Sequence, residues 1–156
     1  LEGFNQFSPK RIILDRNLQI DLKSYIAKSI KNKNTIIFHN SNDKSKIKLL
    51  KKRGTTLIKQ STDKYKNLDL KKILKDLYKM EIRNLLVEGG DILTKNFIQK
   101  KLFNEFYVFR SSKNLSKNKK HVNFTSFSIL NTKYNKHKIN SKLASDKLTI
   151  YKNWNV

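Results

Sequence analysis

Cysteine is absent from these 156 residues, and with it go disulfide bridges, thiolate zinc sites and cysteine nucleophiles. Nothing in the chain calls for an oxidising compartment, and a cytoplasmic location is expected. Proline occurs once and glycine four times. No Pro/Gly/Ser linker, internal repeat or composition step divides the chain, so one domain over residues 1–156 is expected, long enough to bury a real core. Long apolar runs are also missing. Runs such as Arg11-Ile12-Ile13-Leu14 and Asn84-Leu85-Leu86-Val87 are strand-sized against the ~20 residues of a membrane span. A transmembrane helix is therefore excluded. The opening Leu1-Glu2-Gly3-Phe4 has neither the basic nor the apolar region of a signal peptide, and no initiator Met, which reads as a piece of something longer.

Acids are scarce too: 12 against 35 basic residues, a net charge of +23. Such a balance raises nucleic acid as a partner, since lysines held against phosphates release counterions. Arginine, the residue suited to bidentate phosphate and base recognition, is confined to Arg11, Arg16, Arg53, Arg83 and Arg110. The joint excess of Lys, Asn, Ile, Phe and Tyr is what an A/T-rich coding sequence would produce whatever the protein did. A solvated lysine surface that attracts phosphorylated ligands is the plainer reading; a Lys-rich nucleic-acid-binding module is the alternative.

What is present is an alternation. Pro9 to Asp15 reads as a strand with proline at its start, broken by Asp15-Arg16-Asn17. Asn34 to His39 reads as a second strand, followed by cap residues Ser41-Asn42-Asp43 and a helix that turns Ile47, Leu49 and Leu50 inward. Gly54 sits where a helix C-cap belongs. Thr55 to Lys59 makes a third strand, and Asn67-Leu68-Asp69 opens a helix with Leu70, Ile73, Leu74, Leu77 and Tyr78 at 3–4 spacing. Asn84 to Glu88 reads as the next strand, then Gly89-Gly90-Asp91 and a helix carrying Ile92, Leu93, Phe97, Ile98 and Leu102. After it, Asn104 to Arg110, roughly Val122 to Ile129, Tyr134 to Ile139, and Lys147 to Lys152 read as strands without intervening helices. The expectation is an α/β fold whose sheet is mixed and partly parallel, flanked by helices.

Paired glycines between a strand and a helix let a ligand approach the backbone, and the helix N-terminus offers unpaired N–H groups and partial positive charge. Gly89-Gly90 is thus either a phosphate cradle or a tight strand-to-helix turn. It is neither a Walker A loop nor a dinucleotide fingerprint, because the lysine of one and the third glycine of the other are missing. Glu88 and Asp15 end strands where ligand-contacting side chains often sit, or are solvated charges. Arg16 could meet a 2′-phosphate or an adenine face. His39, His121 and His137 have no carboxylate or histidine at metal-ligand spacing, so no metal site is expected. Trp154 reads as a packing anchor.

Three segments together resemble a known family. Pro9-Lys10-Arg11-Ile12-Ile13-Leu14-Asp15-Arg16, then Asn84-Leu85-Leu86-Val87-Glu88-Gly89-Gly90 with its helix, then Leu102-Phe103-Asn104-Glu105-Phe106-Tyr107-Val108 are similar to the reductase domain of the riboflavin-biosynthesis deaminase-reductase, which has a dihydrofolate-reductase-like fold. The resemblance implies an oxidoreductase of riboflavin biosynthesis. Its NADPH-dependent reaction reduces the ribosyl group of 5-amino-6-(5-phosphoribosylamino)uracil, a phosphorylated pyrimidine-ribosylamine, to the ribityl form. By position it implies Glu88 as the substrate-contacting acid. It also implies Arg16, Gly90, Asp91, Ile92, Leu93, Thr94, Lys95 and Asn96 as cofactor contacts. A homodimer and an upstream deaminase domain are implied as well, with no role for nucleic acid. The family's initial strand and its Ser-x-Asp-Gly-type segment have no counterpart before Pro9, and its Ala-Pro-Lys-x-x-Gly is replaced by Ser111-Ser112-Lys113-Asn114-Leu115-Ser116. The chain is accordingly expected to be the C-terminal part of one reductase domain, apparently lacking the N-terminal strand segment and incomplete as an enzyme.

Overall fold

Asp43 and Asp69 show how local chemistry starts the helices of this protein. In the computed structural model, which describes residues 9–30, 34–112, 124–139 and 145–153, the Asp43 carboxylate accepts from Lys46 N, and Asp69 accepts from Lys71 N and Lys72 N. Each satisfies backbone donors that an α-helix leaves orphaned at its first turn. The residues cluster into two units, Leu1–Arg83 and Asn84–Val156.

The first unit runs β1 (Arg11–Leu14), α1 (Tyr25–Lys28), β2 (Thr35–His39), α2 (Lys44–Lys52), β3 (Thr56–Lys59) and α3 (Leu70–Lys79). Its three strands form a parallel sheet in the order β1-β2-β3, with Ile13 opposite Ile37 and Ile37 opposite Leu57. Every residue of β2 is buried, which explains why Ile36-Ile37-Phe38 is a continuous apolar run: a central parallel strand is covered on both faces. Ile37 packs with Leu18 and Leu50, against which Ile13, Ile47 and Leu57 also lie. Ile36 and Phe38 point to the opposite face by the period of two and are equally buried. In α3 the 3–4 spacing buries Leu70, Ile73 and Leu77.

The scarcity of glycine is visible at the helix ends. After α2 the left-handed position is filled by Gly54 (φ 89°), with Gly54 N bonded to Lys51 O and Thr55 N to Leu50 O. After α3 the same paired bonds form around Glu81 (φ 63°). A side chain in this conformation costs about 1–2 kcal/mol relative to the right-handed region, a penalty glycine escapes. Glu81→Gly is therefore expected to stabilise the first unit by about 1 kcal/mol, read as a higher urea midpoint at unchanged slope.

The second unit runs α4 (Asp91–Gln99), β4 (Glu105–Arg110), α5 (Phe127–Lys133), β5 (Asn135–Ile139) and β6 (Lys147–Lys152). Its sheet is antiparallel in the order β4-β6-β5. Ile98, Leu130 and Tyr151 form the core, lined by Phe103, Phe106, Val108, Phe124, Phe127 and Tyr134. Polar tips of the core aromatics are satisfied: Tyr134 Oη donates to Ile98 O at 3.0 Å and Tyr151 Oη to Asn131 Oδ1 at 2.7 Å. Here α4 ends on Lys101 in the left-handed region (φ 55°), with the bond pair seen at Gly54 and Glu81.

The fold class is α/β as expected, with the parallel and antiparallel strands in separate three-stranded sheets. Two expectations are corrected. Asn84 to Glu88 forms no strand: it pairs with no described residue and is exposed throughout, Leu86 by 82%. A strand needs neighbours as well as β-propensity, and propensity alone cannot specify them. Of the strand expected at Val122 to Ile129, Phe127 onward belongs instead to α5, because Phe124, Phe127, Leu130 and Tyr134 recur at helical intervals and bury one face. Val122 and Asn123 lie outside the described residues, as do His121, Lys113 to Ser116 and Trp154. Among the described residues no helix is long and apolar enough to cross a membrane.

Candidate functional site

Each unit holds its own group of candidate residues. In the second unit, α4 begins directly after Gly89-Gly90. Gly90 is its N-cap, with extended backbone angles (φ −70°, ψ 174°) and no side-chain bond to the helix amides. The first amides of α4 thus project without a capping partner, at the positive end of the helix dipole. The glycines differ in what they make room for. A Cβ on Gly89 would lie 2.8 Å from Leu93 Cδ2, so close packing onto α4 excludes a side chain there. A Cβ on Gly90 would meet nothing within 4 Å. Neither the backbone angles nor the packing of the protein demands glycine at 90, and the space in front of the helix is open.

The remaining residues of the group divide by what their side chains do. Asp91 turns inward: its carboxylate accepts from Thr125 N at 3.3 Å and from Thr125 Oγ1 at 3.2 Å. What Asp91 leaves for a ligand is its backbone N–H. Thr94 Oγ1 reaches back to Gly89 O at 3.4 Å and Asn96 Nδ2 to Ile92 O at 2.9 Å, bonds that hold the turn and the first turns of α4. Ile92 and Lys95 are exposed, Leu93 packs beneath Gly89, and Glu88 stands exposed just ahead of the turn. This chemistry suits a phosphate or pyrophosphate on the amides, an apolar surface at Ile92 and a carboxylate alongside.

In the first unit the group lies where the parallel strands end, the side of an open α/β sheet at which ligands bind. Asp15 is consumed by structure, accepting from Gln19 N at 2.8 Å and Ile20 N at 2.7 Å, and so closes the turn after β1. Arg16, on that turn, is exposed; its Nε bonds to Asn17 Oδ1 at 3.3 Å and its guanidinium also donates to Lys66 O. That uses two of five donors and leaves a fork directed by a loop. The strand ends are tied together by Asn40 Nδ2 to Gln60 O at 2.7 Å and Lys59 Nζ to Asn42 Oδ1 at 2.6 Å. Gln60 Nε2 in turn reaches Asp76 Oδ2 at 2.8 Å.

Burial holds the His39 imidazole below its ordinary pKa, reinforced by Lys59 and Lys51 and opposed by the Ser41 backbone and Asp15. No group of three or more His, Cys, Asp or Glu residues able to hold a metal occurs among the described residues.

Sequence reasoning placed Gly90 to Asn96 on one helix start and Arg16 after β1. It missed Asn40 and Gln60, whose signal was a polar residue directly following each strand run. It also missed Thr125, for which a partner 34 residues away gives no local signal.

Comparison with known proteins follows the same residues. Residues 2–142 match the family described as RibD C-terminal domain. The riboflavin biosynthesis protein RibD of Aquifex aeolicus is 31% identical over 105 residues, covering 67% of this chain and 28% of that protein. Its counterpart from Actinobacillus pleuropneumoniae is 28% identical over 109 residues, 70% of this chain and 29% of that protein. The chain thus spans under a third of these relatives. Two solved forms of Acinetobacter baumannii RibD superpose with TM-scores of 0.65 and 0.68, at 18% and 17% identity. They cover 92% and 97% of this chain and 37% and 40% of those chains. They share its fold.

Proposed function

This chain belongs to the RibD C-terminal domain family, and from that membership we propose that it is the reductase part of riboflavin biosynthesis. In this reading residues 1–156 are the C-terminal part of one reductase domain, within a longer cytoplasmic protein that carries a deaminase domain upstream and pairs as a homodimer. The substrate is 5-amino-6-(5-phosphoribosylamino)uracil and the cofactor NADPH. The observation that carries the reading is the uncapped start of α4 behind Gly90, where the position a side chain would take is open space. These residues fit a dinucleotide: backbone N–H groups and the helix dipole for its phosphates, and Ile92 for an apolar face.

A bound nicotinamide supplies the hydride that reduces the sugar C1′. The chain's own residues bind and orient. Amides of Asp91, Ile92 and Leu93 hold phosphate oxygens, Thr94 keeps the Gly89 carbonyl turned away from them, and Asp91 fixes the helix through Thr125. Arg16 contributes positive charge for a further phosphate, which favours NADPH over NADH. Glu88 accepts hydrogen bonds from the substrate and sets its position.

Titration with NADPH and NADH at two salt concentrations, with duplex DNA as competitor, tests the cofactor half. Saturable NADPH binding that is tighter than NADH and indifferent to DNA is expected. Salt-steep binding to DNA alone would turn the reading toward the charge. In the complete enzyme Glu88→Gln is expected to lower turnover on the order of a hundredfold through misplaced substrate, with the melting temperature unchanged; wild-type kinetics would take Glu88 out of the site.

A further inference from the structure

His39 closes β2 with a side chain only 2% exposed, and its Nδ1 is buried without a hydrogen-bond partner. A buried polar atom without a partner is destabilising, so its position asks for an explanation. The backbone on either side of His39 holds the Arg16 turn: Asp15 N donates to Phe38 O at 3.0 Å, and Asn40 N donates to Arg16 O at 2.8 Å. On its other side His39 O accepts from Gln60 N at 2.7 Å. The backbone of His39 thus lies at the join between β1, β2 and β3, and its imidazole is buried.

The groups that act on its charge come from four segments. Asp15 follows β1, Lys59 ends β3, Lys51 lies on α2, and the Ser41 backbone follows β2 itself. Of these only Asp15 offers a full negative charge, and both its oxygens are already engaged by Gln19 N and Ile20 N. A neutral imidazole leaves that arrangement undisturbed. A protonated one needs an acceptor for each N–H; the Ser41 backbone can serve one of them, and Nδ1 has no partner for the other. The charged ring has two routes: drawing Asp15 away from the turn amides, or leaving the interior and straining the Asn40–Arg16 bond. Either route loosens the turn that carries Arg16.

We propose that His39 is a proton-sensitive positioning residue of the Arg16 turn, holding the turn closed when neutral and releasing it when charged. Its consequence for NADPH rests on the cofactor reading above; its consequence for the turn does not. The sign follows from burial. The folded state favours the neutral ring, so the contribution of His39 is fully present above its unfolded value near 6.5 and is lost as pH falls below that value.

The test is amide hydrogen exchange of Gln19, Ile20 and Asn40 in the 156-residue chain, from pH 7.5 to 5.5, alongside the His39 ring resonance and NADPH affinity. Protection at these three amides is expected to fall with acid, by at most about tenfold per pH unit for one linked proton. The fall should begin near the unfolded value of the ring and level off where the folded ring titrates, and it should vanish in His39→Gln. An identical fall in His39→Gln, or none in the wild type, overturns the proposal. If that variant does not fold, the wild-type profile decides: a fall that levels off at the pH where the ring titrates supports the proposal, and one that runs on unchanged through that pH overturns it. Absence of NADPH binding at every pH would count against the cofactor reading and leave the amide result to stand by itself.

Discussion

Valine in place of Gly90 is expected to weaken NADPH binding by about ten- to a hundredfold, while the thermal midpoint falls only by the few degrees that a poorer N-cap costs. The magnitude is that of one charge-assisted hydrogen bond to a phosphate, about 1.5–3 kcal/mol, converted at 1.4 kcal/mol per decade. The separation of binding from stability comes from the local geometry. Gly90 has the backbone angles of an ordinary N-cap, which valine adopts, and the side-chain direction is empty. Whatever loses from a side chain at this position therefore lies outside the protein. Fluorescence titration of NADPH, set beside a melting curve, separates the two effects. Unchanged affinity would mean that the open space in front of α4 holds no phosphate.

The second large effect belongs to the core. Phe38→Ala is expected to cost about 3–5 kcal/mol, much of the 5–15 kcal/mol that typically holds a domain together. Phe38 is 0% exposed on the middle strand, with Leu14 and Ile58 as its register partners on either side. A cavity there has strands on two sides that cannot close it without breaking ladder bonds. Exchange protection at Ile37 should fall several hundredfold or more, whereas Tyr151, in the core of the second unit, should keep its protection. Equal losses at both would mean that the two units unfold as one.

How much was legible follows from the range over which each element is determined. Strands β1, β2 and β3, and helices α2, α3 and α4, rest on signals contained within about a dozen residues: apolar runs, an Asp before the first turn, a Gly or its stand-in after the last. These were read almost to the residue. Asn84 to Glu88 was misread because its Leu85-Leu86-Val87 satisfies every local test for a strand, while the test it fails, having a partner, is not local. For α5, alternation and helical spacing overlap in Phe124-Thr125-Ser126-Phe127-Ser128-Ile129-Leu130. Burial of Leu130 with Phe124 and Phe127 decided between them. At the site, the Gly-Gly turn was legible because glycine leaves its mark on composition. That Asp91 faces Thr125, and that Asp15 spends both oxygens on its own turn, became visible only with the chain folded.

Leu85, Leu86 and Val87 are 39%, 82% and 38% exposed, and they follow one another in a stretch bounded by Arg83 and Glu88. An uncovered run of this composition is a template on which other chains can add as strands. The net charge of +23 then acquires a use that concerns neither ligand nor catalysis: mutual repulsion opposes the addition of further copies along this exposed run. That protection has the reach of the ionic atmosphere, about 10 Å in 0.1 M salt and about 3 Å in 1 M. The colloidal behaviour of the chain is thereby tied to its lysines, and concentrated salt, which leaves the apolar run as it is, removes what holds the copies apart.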